Sequence, residues 1–342
     1  MDNKLNSLNL QQLDYIPEGL LEASPESLHK LLSQPTLIHL SGKHKDPLFV
    51  SVLLHGNEPT GFLAIQQLLK KYQDRSLPRS LSIFFGNTLA ASKGLRRLDD
   101  QPDFNRIWPG TPFPTSPETE MATTIVEIMQ SKKLFASIDI HNNTGLNPHY
   151  GCINKLEPQF LQLATLFARF VIYFNNPKGV QSAAFAEICP AITLECGRPD
   201  QQFGVVHALE FVDSCLNLTE LPDHPVHQQD VDLFHTVAQV CIKEEIDFSF
   251  HDENTELLLS EDIEQLNFTE IASGTILGQL NNTEQLPLIA TDENGNDVTK
   301  KFFSIDHGNL IINRPTMPSM LTLDEKVIRQ DCLCYLMERI HL

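Results

Sequence analysis

Four residues of this 342-residue chain have the types and settings to handle a cation and a water molecule together: His55, Glu58, His141 and Glu195. His55 and Glu58 stand where the uncharged run Pro47-Leu-Phe-Val-Ser-Val-Leu-Leu54 breaks into Gly56, Asn57 and Pro59. Imidazole nitrogen and carboxylate oxygen are donors that zinc takes, and a catalytic zinc needs two or three of them with a position left for water. Alone, His-x-x-Glu is a weak pattern, because His and Glu are common on exposed loops. A second apolar run, Leu134-Phe-Ala-Ser-Ile-Asp-Ile140, also ends in a histidine, His141, followed by the turn-forming Asn142-Asn-Thr-Gly145. A third, Pro190-Ala-Ile-Thr-Leu194, ends in Glu195. A strand-end glutamate is usually a solvated cap. Beside two histidine-ended strands it becomes a candidate general base, able to take a proton from water and pass it to a leaving nitrogen.

The elements around these residues must bring them to one edge. Pro47–Leu54 reads as a buried strand. Phe62, Ile65, Leu69 and Tyr72 follow at helical spacing, which puts Glu58 at a helix start. Leu81-Ser-Ile-Phe-Phe85 is the next strand, and strand, helix, strand is the signature of a parallel α/β sheet. In such sheets ligands gather at the carboxyl ends of the strands. Thr36–Leu40 predicts a further strand, with residues 41–46 as the turn of a hairpin-like start to the sheet. Ser116-Pro117 opens a helix with Met121, Ile125, Ile128 and Met129 inward. Asp139 lies two residues before His141 and so points to the same side of its strand. It reads either as a carboxylate orienting a ligand from behind or as a buried structural group. A helix with Phe160, Leu163, Phe167 and Phe170, a strand at Val171–Phe174 and a helix with Val205, Leu209, Val212 and Leu216 continue the pattern.

Residues 88–116 form a long stretch without periodicity, and such segments inside compact domains are often functional. Arg106 offers a planar fork that can hold a carboxylate bidentately, and Asn105 can donate beside it. The plainer reading is a solvated surface loop. Taken together, His55-Gly-Asn-Glu58, Asp103-Phe-Asn105-Arg106-Ile-Trp-Pro-Gly110, Asp139-Ile-His141-Asn142 and Ile192-Thr-Leu-Glu195-Cys-Gly197 resemble, in order and spacing, the succinylglutamate desuccinylase and aspartoacylase family, which belongs with the zinc carboxypeptidases. The resemblance implies an α/β fold with a mixed, mainly parallel sheet flanked by helices, and a smaller β-rich C-terminal domain that narrows the way to the site. It implies one Zn2+ on His55, Glu58 and His141, with Glu195 as general acid and base. It also implies that Asn105 and Arg106 bind substrate carboxylate, while an upstream arginine polarises the scissile carbonyl. Arg97 is the closer candidate for that last role, with Arg96 the alternative, at a spacing slightly longer than the family pattern.

The implied activity is hydrolysis of the amide bond of a small acidic N-acyl amino acid by metal-activated water. A carboxypeptidase acting on peptides competes with it, and an inactive metal-binding protein is the third reading. A formal charge of −19 argues against nucleic acid and anionic membranes as partners, since both are bound through Lys and Arg. No apolar run reaches the length of a membrane span, and the N-terminus lacks the form of a secretory signal. The seven cysteines show no Cys-x-x-Cys and sit in apolar stretches, which suits reduced thiols in a cytoplasm. Assembly as a homo-oligomer is left open by the sequence. Cys196 beside Glu195 has no histidine near it in sequence and reads as a core thiol, not a nucleophile. His149 and Tyr150 read as loop residues near the site, and Arg198 as a further substrate contact. His224 and His227 read as exposed linker histidines.

Three regions are expected. Residues 1–35 form an N-terminal helical extension, with a short helix around Leu28, Leu31 and Leu32 after Ser24-Pro25. Residues 36–225 form the zinc hydrolase domain. Residues 231–342 form a β-rich domain with strands near 231–240, 267–272, 274–278 and 302–306. That domain ends in a helix carrying Ile328, Cys332, Tyr335, Leu336 and Ile340, with Thr322-Leu-Asp-Glu325 as its capping box.

Overall fold

The three apolar runs that lead to His55, His141 and Glu195 lie side by side as parallel strands. The structure, a computed structural model, describes residues 9–199, 201–281 and 285–341. The chain divides into two compact units. The first comprises Met1–Asn142, His149–Val171 and Pro177–Val231, and the second comprises Asn143–Pro148, Ile172–Asn176 and Asp232–Leu342.

In the first unit the elements run β1 (Gln11–Leu13), β2 (Thr36–Leu40), β3 (Gly42–Val52), α1 (Thr60–Lys71), β4 (Leu77–Phe85), α2 (Thr88–Ala91), α3 (Pro117–Gln130), β5 (Ala136–His141), β6 (Tyr150–Ile153) and α4 (Pro158–Phe167). β7 (Phe170–Tyr173) runs across the division, and α5 (Gln181–Phe185), β8 (Ala191–Glu195) and α6 (Gln202–Asn217) complete the set. The strand order is β1-β2-β4-β3-β5-β8-β6. β4, β3, β5 and β8 are mutually parallel, while β2 runs antiparallel to β4 and β6 runs antiparallel to β8. Parallel strands covered on both faces need apolar residues throughout, and Val50, Val52, Ile138, Ile140, Ile192 and Leu194 are buried accordingly. Alternation along β5 separates its faces. The Ile140 side receives α1, where a Cβ on Gly61 would lie 2.9 Å from Ile140, and the Ser137 side receives α5, whose Gln181 bonds to Ser137.

Two expectations for this unit are corrected. The hairpin start is absent: β4 pairs with both β2 and β3 and so separates them, a pairing that nothing local in residues 41–46 discloses. The N-terminal helix is a single 3-10 turn, Leu28–Lys30, and Gln11–Leu13 adds a parallel strand beside β2. Pro35 lies shortly beyond Leu32, and the residue before a proline is pushed out of helical backbone, so the turn cannot lengthen. Residues 1–8 of that expected extension lie outside the described residues.

The second unit is β-rich. β9 (Asp232–Ile242) is followed by β10 (Phe248–Ser249), β11 (Leu257–Leu259), β12 (Ile276–Leu280), β13 (Leu288–Thr291), α7 (Thr299–Phe302), β14 (Phe303–Asp306), β15 (Asn309–Ile312), β16 (Met317–Ser319), α8 (Glu325–Gln330) and β17 (Cys334–Ile340). β9 pairs with β13 and β17, β17 pairs with β16, and a separate five-stranded sheet runs β10-β11-β12-β15-β14. The expected terminal helix is corrected: only Glu325–Gln330 is helical, capped by Asp324 in place of Thr322, and residues 334–340 pair antiparallel with β9. Cys332 and Leu336 fit a helical spacing, but with the buried Cys334 between them they also follow a two-residue period, and β9 supplies the partner that decides for the strand. The strand expected at 267–272 reduces to one bridge, Ile271 with Thr316. No helix among the described residues is long and apolar enough to cross a membrane.

Candidate metal centre

His55 is delivered by a break in β3. The strand stops at Val52, and Leu53 takes a left-handed backbone with φ of 56°. That conformation costs a branched L-residue about 1–2 kcal/mol, which full burial of its side chain, worth about 1.5–3 kcal/mol, offsets. Asn87 N–H donates to the Leu53 carbonyl at 2.6 Å and holds the bend. Gly56 then passes so close to α2 that a Cβ would lie 2.2 Å from Ala91 N, and its own N–H donates to the Arg96 carbonyl at 3.1 Å. One glycine therefore seats the His55–Glu58 turn and fixes Arg96 beside it. Glu58 precedes α1 as its position in sequence requires.

His141 is the last residue of β5, Glu195 the last of β8, and the two are register partners. His55, Glu58 and His141 are all buried, and a donor atom of each lies within 4.8 Å of the others. The two Nδ1 atoms converge on Glu58: His55 Nδ1 is 2.9 Å from Oε1 and His141 Nδ1 is 2.7 Å from Oε2. Each Nε2 meets a carboxylate on the far side. His55 Nε2 is 2.9 Å from Asp103 Oδ1, and His141 Nε2 is 2.7 Å from Asp139 Oδ2. This is how metal-binding imidazoles are generally oriented: a carboxylate accepts the outer N–H, fixes the tautomer and leaves the inner nitrogen for the ion.

The carboxylates are themselves fixed. Asp139 Oδ1 accepts from Ser51 Oγ at 2.6 Å. Asp103 Oδ2 accepts from Arg96 Nε and Nη2 at 3.1 and 2.9 Å. Burial alone would raise the Asp103 pKa, but the charges of Arg96 and His55 hold it well below the usual carboxylate range. Burial would likewise lower His141, yet Asp139 and Glu58 push it well above the usual imidazole value. Burial opposes ionisation of Glu58 too, and His55 and His141 overcome it. The centre thus calls for positive charge at the point where the two Nδ1 atoms and Glu58 meet. Two imidazoles and one carboxylate, backed by two further carboxylates, fit zinc in chemistry and in number.

Arg96, not Arg97, stands at the centre. Arg96 Nη1 reaches to 3.7 Å from Glu58 Oε1. Arg97 turns away and donates to the Gln101 carbonyl at 2.9 Å. Adjacent residues on an irregular loop point in different directions, and sequence spacing could not choose between them. Asn105 is buried, with its Nδ2 3.3 Å from Asp139 Oδ2 and 3.1 Å from His141 Nε2. Arg106 follows on the same loop and is half-buried.

Asp103 was missed as a partner of His55 in the sequence reading, although it opens the Asp103–Arg106 motif; its acidic type was the only available signal. Cys196 is fully buried, and burial together with Glu195 and Glu58 pushes its thiol pKa well up, which removes it as a thiolate nucleophile. His149 lies outside the three-donor group: its Nδ1 is 2.7 Å from His207 Nδ1 and its ring stacks on Phe203 at 4.9 Å. His224 and His227 are exposed, as expected of linker residues.

Residues 47–214 match the model of the succinylglutamate desuccinylase/aspartoacylase catalytic domain. Among solved structures, the succinylglutamate desuccinylase from Chromobacterium violaceum is similar at 17% identity and a TM-score of 0.57, over 87% of this chain and 86% of that one. A succinylglutamate desuccinylase/aspartoacylase from Rhodobacter sphaeroides is similar at 13% identity and 0.56, over 88% of each chain. Murine aminoacylase 3 is similar at 16% identity and 0.55, over 88% of this chain and 97% of that one. At such identities the likeness speaks for the fold. No curated protein sequence matches the chain.

Proposed function

Residues 47–214 belong to the succinylglutamate desuccinylase/aspartoacylase catalytic-domain family, and from that premise we propose that the protein is a zinc-dependent hydrolase that cleaves the amide bond of an N-acyl amino acid. The observation that carries the reading is the convergence of His55, Glu58 and His141, each imidazole backed by a carboxylate, beside a strand-end glutamate in register with His141. Residues 36–225 would form the catalytic part, with residues 231–342 as the β-rich domain.

When bound, the ion would supply Lewis acidity toward water and the scissile carbonyl. Glu195 takes a proton from the attacking water and delivers it to the departing nitrogen, so the C–N bond breaks to an amine and not to an unstable amide anion. Asp103 and Asp139 hold the two rings so that neither ligand has to reorient during turnover. Arg96, and not Arg97, supplies positive charge beside Glu58, where negative charge develops on the carbonyl oxygen. Arg106 clamps the substrate carboxylate through its fork and Asn105 donates beside it. In a chain of charge −19, these arginines give an acidic substrate a local reason to bind. The substrate is then a small acidic N-acyl amino acid, and a reducing cytoplasm suits cysteines that all stand as free thiols.

Metal analysis of the purified protein, with amino acid release from N-succinyl, N-acetyl and N-formyl amino acids and from short peptides before and after chelation, tests this. Chelator-sensitive release from acyl amino acids alone is expected. Activity on peptides alone would replace the reading with a metallocarboxypeptidase, and bound metal without turnover would replace it with a binding protein.

A further inference from the structure

Asn105 and Arg106 are held by a stretch of chain that none of the motifs includes, the turn and short helix from Gly179 to Phe185. The backbone N–H of Gln181 donates to Asn105 Oδ1 at 2.8 Å. A carboxamide has one accepting and one donating end, so occupying the oxygen decides that the NH2 group is turned toward Asp139 and His141. Gly179 does the corresponding work for Arg106. Its φ of 75° is left-handed, and a Cβ there would lie 2.4 Å from the Arg106 carbonyl oxygen. Trp108 N–H donates to the Gly179 carbonyl at 3.0 Å, so the turn grips the loop just beyond Arg106 as well.

Two further contacts make this turn a bridge. Gln181 Nε2 donates to Ser137 Oγ at 2.7 Å, and Ser137 lies on the same face of β5 as Asp139 and His141. Phe185 packs edge-on against the buried Trp108 at 5.9 Å and stacks on Phe49 of β3 at 4.3 Å. The loop of residues 103–108 is thereby referenced to the strands that carry the metal ligands.

We propose that the Gly179–Gln181 turn is the positioning element of the carboxylate grip, with the Gln181 N–H setting the amide orientation of Asn105 and Gly179 setting the backbone under Arg106. The inference rests on the reading of Asn105 and Arg106 as the groups that hold substrate carboxylate.

Two substitutions at one position isolate the N–H. Gln181→Ala removes the side-chain link to Ser137 and keeps the N–H; Gln181→Pro removes both. Gln181 is the first residue of α5, and Val180 before it has ψ of 152°, the extended backbone that proline requires of its predecessor. The backbone there therefore accepts proline, whose Cδ takes the place of the N–H and displaces the Asn105 carboxamide from its present contact. Relative to Q181A, Q181P is expected to raise KM for an N-acyl amino acid about tenfold while leaving kcat comparable, the scale of one lost hydrogen bond. Calorimetric affinity for L-glutamate and L-aspartate is expected to weaken by a similar factor. On the corresponding N-acyl amino amide, which lacks the carboxylate, the two variants should match.

Equal KM and equal affinity in the two variants, or equal losses on carboxylate and amide substrates, would overturn the proposal. Failure of the unsubstituted protein to hydrolyse any N-acyl amino acid would overturn the functional reading instead. Calorimetry on the two variants still tests the turn in that case, and absence of binding to the unsubstituted protein overturns the turn's role too.

Discussion

Replacing Asp103 with Asn keeps the size of the side chain and removes a charge on which two neighbours depend. His55 Nε2 stands 2.9 Å from Oδ1, and Arg96 donates to Oδ2 at 2.9 and 3.1 Å. The imidazole loses the anionic acceptor that fixes its tautomer and ring orientation, and losing such a partner costs about 10–100-fold in metal affinity. At about 1.36 kcal/mol per decade, this is about 1.4–2.7 kcal/mol. A carboxamide also offers one acceptor where the carboxylate offers two. If its oxygen stays on His55, its NH2 faces the guanidinium, donor against donor, and Arg96 is driven off the position it needs beside Glu58. D103N is thus expected to weaken zinc binding by about 10–100-fold and to lower kcat as well. Competition with a chromogenic chelator at fixed pH gives the Kd, and Asp139→Asn makes the same test on His141. A D103N protein with zinc affinity and turnover indistinguishable from the unsubstituted protein would refute the argument that this carboxylate orients the ligand.

Glu195→Gln should retain its metal and lose about 10²–10⁴-fold in kcat, measured by metal content and turnover on the same preparation; parallel loss of both would remove Glu195 from the base role. Arg96→Lys should cost about 10²–10³-fold in kcat/KM while Arg97→Lys costs far less, and the reverse order in the same assay would restore Arg97. His149 is held down to about 4 from an ordinary value of about 6.5, by burial first and by the nearby His207 second. Because the unfolded chain then binds the proton more readily, this stabilising contribution is complete above about pH 6.5 and is lost as pH falls toward about 4. A Tm profile across that window should therefore slope downward toward acid, and His149→Phe should flatten it; an unchanged slope would exclude His149 as its source.

The strands that end in His141 and Glu195 were legible because continuous apolar runs between turn signals carry their own boundaries, and β5 and β8 stop where those runs stop. The His55 strand was legible in kind, although it ends two residues earlier than the apolar run, at Val52, because the left-handed Leu53 has no signature in its sequence. What local sequence could not carry was anything decided by a distant partner. The insertion of β4 between β2 and β3, the recruitment of residues 334–340 by β9 and the choice between Arg96 and Arg97 all belong to that kind. Asp103 is the clearest case in the site. Its role exists only because the loop brings it back to His55, forty-eight residues away in sequence.

The register between β5 and β8 works as a ruler. Parallel neighbours sit about 4.8 Å apart, and partners in register face the same way, so the offset between Glu195 and His141 is set by backbone pairing and by neither side chain's surroundings. The chain that joins the two strands can lengthen, shorten or change its sequence without altering that offset. A single residue gained or lost inside either strand does the opposite: it turns every side chain beyond it to the other face and separates Glu195 from His141 in one step. The offset between these two residues is therefore tolerant of change in length along the joining chain and intolerant of change in the strands, whereas the Gly179–Gln181 turn within that chain is held to its own contacts with Asn105 and Arg106.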